Sequence, residues 1–265
     1  KGDPEKAVLN ALDLLGGMKR FVKTGQSVVI KPNMSFAKTF DQATNTSPVV
    51  VATVARACIE AGAKKVLVLD HTLHKGELCL DMSGIATSCK AITNTHVLAL
   101  NDKRFFQELP VPQGKVLTSV KVLQEVVKSD VLISLPTAKS HSATGVSLGM
   151  KGLMGLIWDR GYFHSKVDLN QAIADLTSVI KPHLTIIDAS RALITGGPSG
   201  PGKIDTLNTI IAGVDPVAVD TLGVSIAPWY NKPFKVDQVK HIMAAYRMGL
   251  GTINLDQLQI VKENV

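Results

Sequence analysis

At 265 residues the chain can bury a sizeable core, either as one large domain or as a main domain with a small insertion. Hydrophobic residues make up 45% and charged residues 19%, as expected of a soluble globular protein, and no apolar run reaches the roughly 18–20 residues of a membrane span. The net charge of +7 favours anionic partners, but the lysines are scattered and aromatics are only 5%, which argues against nucleic acid and for a small anionic metabolite.

The chain opens within a helix. Asp3-Pro4 starts PEKAVLNALDLL, which Gly16-Gly17 stops, with no strand ahead of it, so a first strand and any export signal are expected upstream. Short β-branched runs then alternate with amphipathic segments. Strands are expected at 27–30, 65–69, 96–100, 130–134, 184–187 and 207–212, and helices at 48–61, 120–128, 169–180, 216–226 and 236–247. Ser47-Pro48 reads as an N-cap followed by proline in the first turn, Asp168 and Asp215-Pro216 start two more helices, and Gly62 closes the first of these three. The alternation predicts an α/β fold, a mostly parallel sheet flanked by helices. One domain over residues 1–265 is expected, with the less regular residues 72–120 as a small insertion.

The cysteines are Cys58, Cys79 and Cys89. Without a CxxC, no iron–sulfur cluster is expected within these residues. Cys58 lies in an apolar helical pattern and reads as core, while Cys79 and Cys89 are compatible with a disulfide or with free thiols.

In open α/β sheets ligands bind outside the carboxyl ends of the strands. Four expected strand ends carry distinctive residues: Lys31-Pro32-Asn33, Asp70-His71, Pro136 to Lys139, and Asp188. Each has a plainer reading, as solvated lysines and capping aspartates. Thr46-Ser47 opens a helix whose free N–H groups suit a phosphate or carboxylate, and the loop around Gly196-Gly197 suits backbone cradling of an anion. It is neither a Walker loop nor a GxGxxG fingerprint. His71 and His74 form an H-x-x-H that reads as surface histidines more readily than as metal ligands. Asp220 is either an inward carboxylate or a helix-packing hydrogen-bond partner.

The densest cluster is LPTAKSHSATGVSLGMKGLMGLIWDRGYFH, residues 135–164. It combines Lys139, His141, Lys151, Arg160 and His164 with four glycines. Cations and imidazoles are costly beside apolar backbone unless an anion or metal answers them, and glycines let that backbone approach closely. Lys151 is expected as base or nucleophile, His141 and His164 as acid/base groups, and Arg160 as a carboxylate or phosphate clamp. Together with Lys31, Asn33, Thr46, Ser47, Lys139, Gly196, Gly197 and Asp188 as ligand-binding residues, they form one expected site. His164 and Asp70 are the candidate ligands of a divalent metal.

Lys31-Pro32-Asn33, Thr44 to Pro48, Ala61-Gly62-Ala63 followed by 66–70, Lys139-Ser140-His141, the glycines 145–155, His164, Ile173 to Leu176, Ile186-Ile187-Asp188, Gly196-Gly197-Pro198 and Ala212 to Asp220 together resemble the domain of unknown function 362 family, from about Gly25 to Gly223. Members of that family often carry ferredoxin-like cysteine motifs or a twin-arginine export signal. Neither stands in this sequence. The resemblance therefore implies either a cytoplasmic protein or one exported by a signal upstream, and an iron–sulfur role only through another segment or a redox partner. A shorter stretch is similar to the nickel-pincer lactate racemase family, where a lysine after a histidine anchors a pyridinium-derived cofactor and a later histidine binds nickel. His141, Lys151 and His164 follow that order, which implies Lys151 as a cofactor or substrate anchor.

Three functions follow as expectations. The first, favoured by the lysine–histidine cluster, is an enzyme acting on a small carboxylate or phosphate at the strand-end rim with metal or cofactor assistance. The second is an iron–sulfur-associated redox or scaffold protein whose cluster lies in another segment. The third is a non-catalytic metabolite-binding protein.

Overall fold

In β1 (Ser27–Pro32) Val28 and Ile30 enter the core on one side of the strand and Val29 the core on the other. A strand buried on both faces belongs in the middle of a parallel sheet covered by helices. The computed structural model, which describes residues 2–265, places it there.

The remaining elements follow in chain order. Helix α1 (Pro4–Leu14) precedes β1; α2 (Pro48–Glu60), β2 (Lys65–Asp70), α3 (Gly76–Ser83), α4 (Ile85–Cys89) and β3 (Thr95–Ala99) come next. A hairpin of β4 (Phe106–Pro110) and β5 (Ser119–Leu123) leads through α5 (Gln124–Lys128) to β6 (Val131–Leu135), β7 (Thr137–His141) and β8 (Gly145–Ser147). Then come α6 (Gly149–Gly152), α7 (Arg160–Ser165), α8 (Leu169–Val179), β9 (Leu184–Leu193), β10 (Ile204–Gly213), α9 (Pro216–Ser225) and α10 (Lys240–Arg247).

The main sheet has eight strands. β3, β2, β1 and β6 lie side by side in parallel, and β9 joins β6 in the same direction. β10 pairs antiparallel with β9, and β8 antiparallel with β7. The sheet is thus mixed and mostly parallel. α1, α2 and α4 cover one face, and α6, α8, α9 and α10 pack on the other.

Several expectations are corrected by the structure. Residues 72–120 are not one irregular insertion, because β3 joins the main sheet and only the β4–β5 hairpin stands apart as a second small sheet. The expected helix 120–128 begins as strand β5: Val120 and Val122 alternate inward, a period of two that outweighs the helical reading. The expected helix 236–247 is shorter, as α10. The strand at 207–212 runs antiparallel and is longer, with an irregularity where Asn208 takes φ +47°. Ser47 occupies the N-cap position of α2 but makes no side-chain cap bond; the Asp188 carboxylate accepts its N–H at 2.8 Å instead. Asp168 and Asp215 do cap α8 and α9, each accepting two backbone N–H groups.

All three cysteines are free and buried. Burial pushes the Cys58 thiol up to about 12 and the Cys89 thiol up to about 11. Trp229 is fully buried, and its indole N–H donates to Val224 O. Among the described residues no helix is long and apolar enough to cross a membrane.

Candidate functional site

The site forms where one long strand changes partners. β6 and β7 run as a single path along β9, interrupted by Pro136, whose carbonyl accepts the Asp188 N–H at 2.8 Å. β1 accompanies β6 as far as Pro32 opposite Leu135 and then leaves the sheet, and β8 flanks β7 beyond that point. The departure opens a rim at the carboxyl end of β1. Asn33 and Thr46 hold it together. Asn33 Oδ1 accepts the Thr137 N–H at 3.0 Å, while Thr46 Oγ1 accepts the Asn33 N–H and donates to Leu135 O, both at 2.8 Å.

Five elements deliver charge to this rim. β1 supplies Lys31, β2 Asp70, β7 Lys139 and His141, α6 Lys151, and α7 Arg160 and His164. Lys31 and Asp70 form a fully buried ion pair, 3.2 Å between Nζ and Oδ1. Asp70 Oδ2 also accepts from the Met34 N–H and the Ser35 hydroxyl, and Lys31 Nζ donates to Pro32 O. Gly155 lies against this pair so closely that a Cβ there would sit 2.2 Å from Asp70 Oδ1 and 2.3 Å from Lys31 Cε. Lys139 donates to Thr44 O at 2.7 Å and stands 5.2 Å over the Phe36 ring. Arg160 donates to Thr72 O at 3.1 Å.

Lys151 differs from its neighbours. Its side chain is buried, yet the amine has no carboxylate or hydrogen-bond partner and is not among the polar atoms sealed from solvent. Burial lowers its pKa to about 7, with help from the Arg160 and Lys31 charges. Lys139 is lowered to about 7 by burial and by repulsion from Lys31 and Lys151. Lys31 is also lowered by burial, an effect that Asp70 opposes.

The histidines are held neutral. Burial, then Lys151 and Lys139, lower His141 to about 2. His141 and His164 stack with ring centres 6.1 Å apart and planes within 13°. His164 is exposed, and burial of part of the ring together with Lys151 and Arg160 lowers its pKa. Because His141 Nδ1 accepts the Ala143 N–H at 3.2 Å, the hydrogen of the neutral ring resides on Nε2. Tyr230 braces the strand behind it: its hydroxyl accepts the His141 N–H and donates to Gly145 O.

Other residues expected in the site serve as its frame. Asp188 is buried, accepts from Ser47 N–H, Ser190 N–H and the Ser190 hydroxyl, and occupies the N-terminus of α2 that an anion was expected to fill. Gly197 gives its N–H to Ser140 Oγ, and Gly196, at φ +71°, closes the loop on Pro201 so tightly that a Cβ there would sit 2.0 Å from its carbonyl. Asp220 accepts the Gly149 and Met150 N–H groups and so fixes the first turn of α6, which carries Lys151; burial raises its pKa to about 7. His71 is separated from His74: it stacks on Trp158 and its Nδ1 contacts Ile157 O, whereas His74 Nδ1 accepts the Ala37 N–H. Asp70 is committed to Lys31, and among the described residues no three His, Cys, Asp or Glu side chains gather to hold a metal.

His241 was not foreseen. It sits on α10, fully buried, with neither ring nitrogen hydrogen-bonded, and burial and Lys151 lower its pKa to about 3. No local motif marks it, because its proximity to the cluster arises from the packing of α10 on α8 and α9, which in turn contact α6.

Comparisons with known proteins bear on the fold and the family. A thylakoid-associated protein of Synechocystis sp. is 26% identical over 216 residues, 79% of this chain, and the chain spans 65% of that relative's length. The lactate racemase apoprotein from Thermoanaerobacterium thermosaccharolyticum has a similar fold, with a TM-score of 0.54 at 15% identity, covering 85% of this chain and 56% of that one. A Thermotoga maritima protein aligns more loosely, with a TM-score of 0.47 at 16% identity over 93% of this chain and 60% of that one. Residues 28–225, which contain every residue of the rim described above, match one family throughout, and the chain belongs to the family described as Domain of unknown function (DUF362).

Proposed function

We propose that this chain is an enzyme acting on a small anion, a carboxylate or phosphate, bound at the carboxyl end of β1 between β7, α6 and α7. The observation that carries this reading is the charge balance. Lys31, Lys139 and Arg160 share Asp70 as the buried carboxylate acting on them, and Lys151 adds a fourth cation beside Lys31 and Arg160 with no carboxylate acting on it. Repulsion of this kind is expensive, and an anion that entered would relieve it.

The roles follow from partners already committed. Lys31 and Lys139 are held by Asp70 and Thr44 O and set the field, while Arg160 clamps the ligand. His141, neutral with hydrogen on Nε2, is suited to donate a hydrogen bond to the ligand, and the exposed His164 stacked beside it is the group suited to proton transfer. The similar fold of a lactate racemase fits a small carboxylate as ligand. A nickel-bearing pyridinium cofactor fits the donors present only if it brings most of its own ligands, since the site offers the Lys151 amine as anchor and the His164 imidazole as a metal ligand. Bound there, it would supply hydride chemistry at the ligand's carbon.

The test follows exchange of carbon-bound hydrogen for deuterium in a panel of small 2-hydroxy and 2-oxo carboxylates, by proton NMR. At least one is expected to exchange, and His164→Gln is expected to slow that exchange by about 100-fold or more. A panel inert to exchange, on protein shown by native mass spectrometry and elemental analysis to carry its full complement of metal or cofactor, would remove the enzymatic reading.

A further inference from the structure

Of the three buried lysines at the rim, two have assigned partners. Lys31 is ion-paired with Asp70 and hydrogen-bonded to Pro32 O, and Lys139 donates to Thr44 O. Lys151 has neither, although its backbone is held in place as well. Asp220 holds the Gly149 and Met150 N–H groups, and Gly149 packs so tightly that a Cβ would meet Asp220 and Thr185 at 2.7 Å. A protein that rigidly positions an amine, buries it, surrounds it with cations and leaves it unpartnered has built a nucleophile rather than a salt-bridge donor.

We propose that Lys151 forms an imine with a carbonyl-bearing small anion, a 2-oxo acid being the simplest of the class. This rests on the anion-binding reading above and narrows its substrate. In the step, the neutral amine nitrogen attacks the carbonyl carbon and the C=O π pair moves to oxygen, which takes a proton. The carbinolamine then loses its oxygen as water and the nitrogen gives up its hydrogens, so that amine and carbonyl become imine and water. The exposed His164 ring is the proton carrier on hand, and Arg160 faces the ligand's carboxylate. No oxidant or reductant is needed.

The free-amine population supports the assignment. With its pKa at about 7, half of Lys151 is unprotonated at neutral pH, against roughly one in three thousand of an ordinary lysine. Arg160 of α7 and Lys31 of β1 act on that value, and Lys139 and His141 of β7, His164 of α7 and His241 of α10 in turn feel the Lys151 charge.

The experiment treats the whole protein at neutral pH with pyruvate as probe, adds sodium borohydride, and maps the modified peptide by mass spectrometry. One N-(1-carboxyethyl) group is expected, on Lys151. It is expected to be lost in Lys151→Arg, which keeps the charge, and retained in Lys166→Arg at an exposed lysine just after α7; circular dichroism confirms that both variants fold. No adduct, an adduct on other lysines, or one that persists in Lys151→Arg would overturn the proposal. Inorganic phosphate separates the two readings. If it stabilises the protein while pyruvate leaves no adduct, the imine is wrong and the anion site stands. If Lys151 is labelled but phosphate neither slows labelling nor binds, the nucleophile stands and the anion site as drawn does not.

Discussion

Lys31 and Asp70 show what a single residue contributes here. Each is fully buried and each is the other's charge partner, so removing one strands the other in a low-dielectric site. Asp70→Asn is expected to cost about 3–5 kcal/mol in urea denaturation, whereas the double change Lys31→Met with Asp70→Leu is expected to recover most of that loss. A loss that is the same in single and double variants would contradict the pairing. Lys151 behaves in the opposite way. As a buried cation without a partner it burdens the fold, and Lys151→Met is expected to raise Tm while abolishing function, the trade-off of a residue kept for chemistry.

Single residues also govern whole elements. Asp175 on α8 accepts the N–H groups of Lys115, Val116 and Leu117 through one oxygen, tying the turn of the β4–β5 hairpin to the main body. Asp175→Asn replaces a charged acceptor by a weaker one and is expected to cost about 2 kcal/mol, with limited proteolysis reporting new cleavage between residues 111 and 118. Gly155→Ala would drive a Cβ into the Lys31–Asp70 pair and is expected to weaken ligand binding and stability together. The central strands, three of the helices and the convergence at the strand ends were legible, because β-branched runs, the aspartate caps of α8 and α9 and the proline that opens α2 act locally. Strand β7 was not. Its five residues, TAKSH, are all buried, yet they carry no apolar alternation, since β7 lines the site rather than the core. Tertiary packing of α10 hid His241, and the frame roles of Asp188 and Gly197 depend on contacts more than fifty residues away in sequence.

For the whole molecule, the lysines dictate how stability varies with pH. Lys139 and Lys151 fall from 10.5 to about 7 on folding, so between pH 7 and 9 the unfolded chain holds more protons than the folded one. Stability therefore rises with pH across that window. Only at about pH 10 does the sign reverse, as the unfolded lysines lose their protons and the unfolded thiols are ionised while Cys58 and Cys89 remain protonated in the fold. Melting curves from pH 7 to 9 are expected to climb, and saturating phosphate is expected to flatten the climb by restoring both lysines to the charged form. Flat curves without phosphate would show that these amines titrate normally.

The central claim, that the cations at the end of β1 form an anion site, is tested most directly by calorimetric titration at pH 7 with phosphate and small carboxylates at constant ionic strength. One-to-one binding is expected, accompanied by proton uptake that appears as a buffer-dependent heat and weakened at least tenfold in Arg160→Ala. No saturable heat with any of these anions, or binding indifferent to Arg160→Ala and to buffer, would contradict the account.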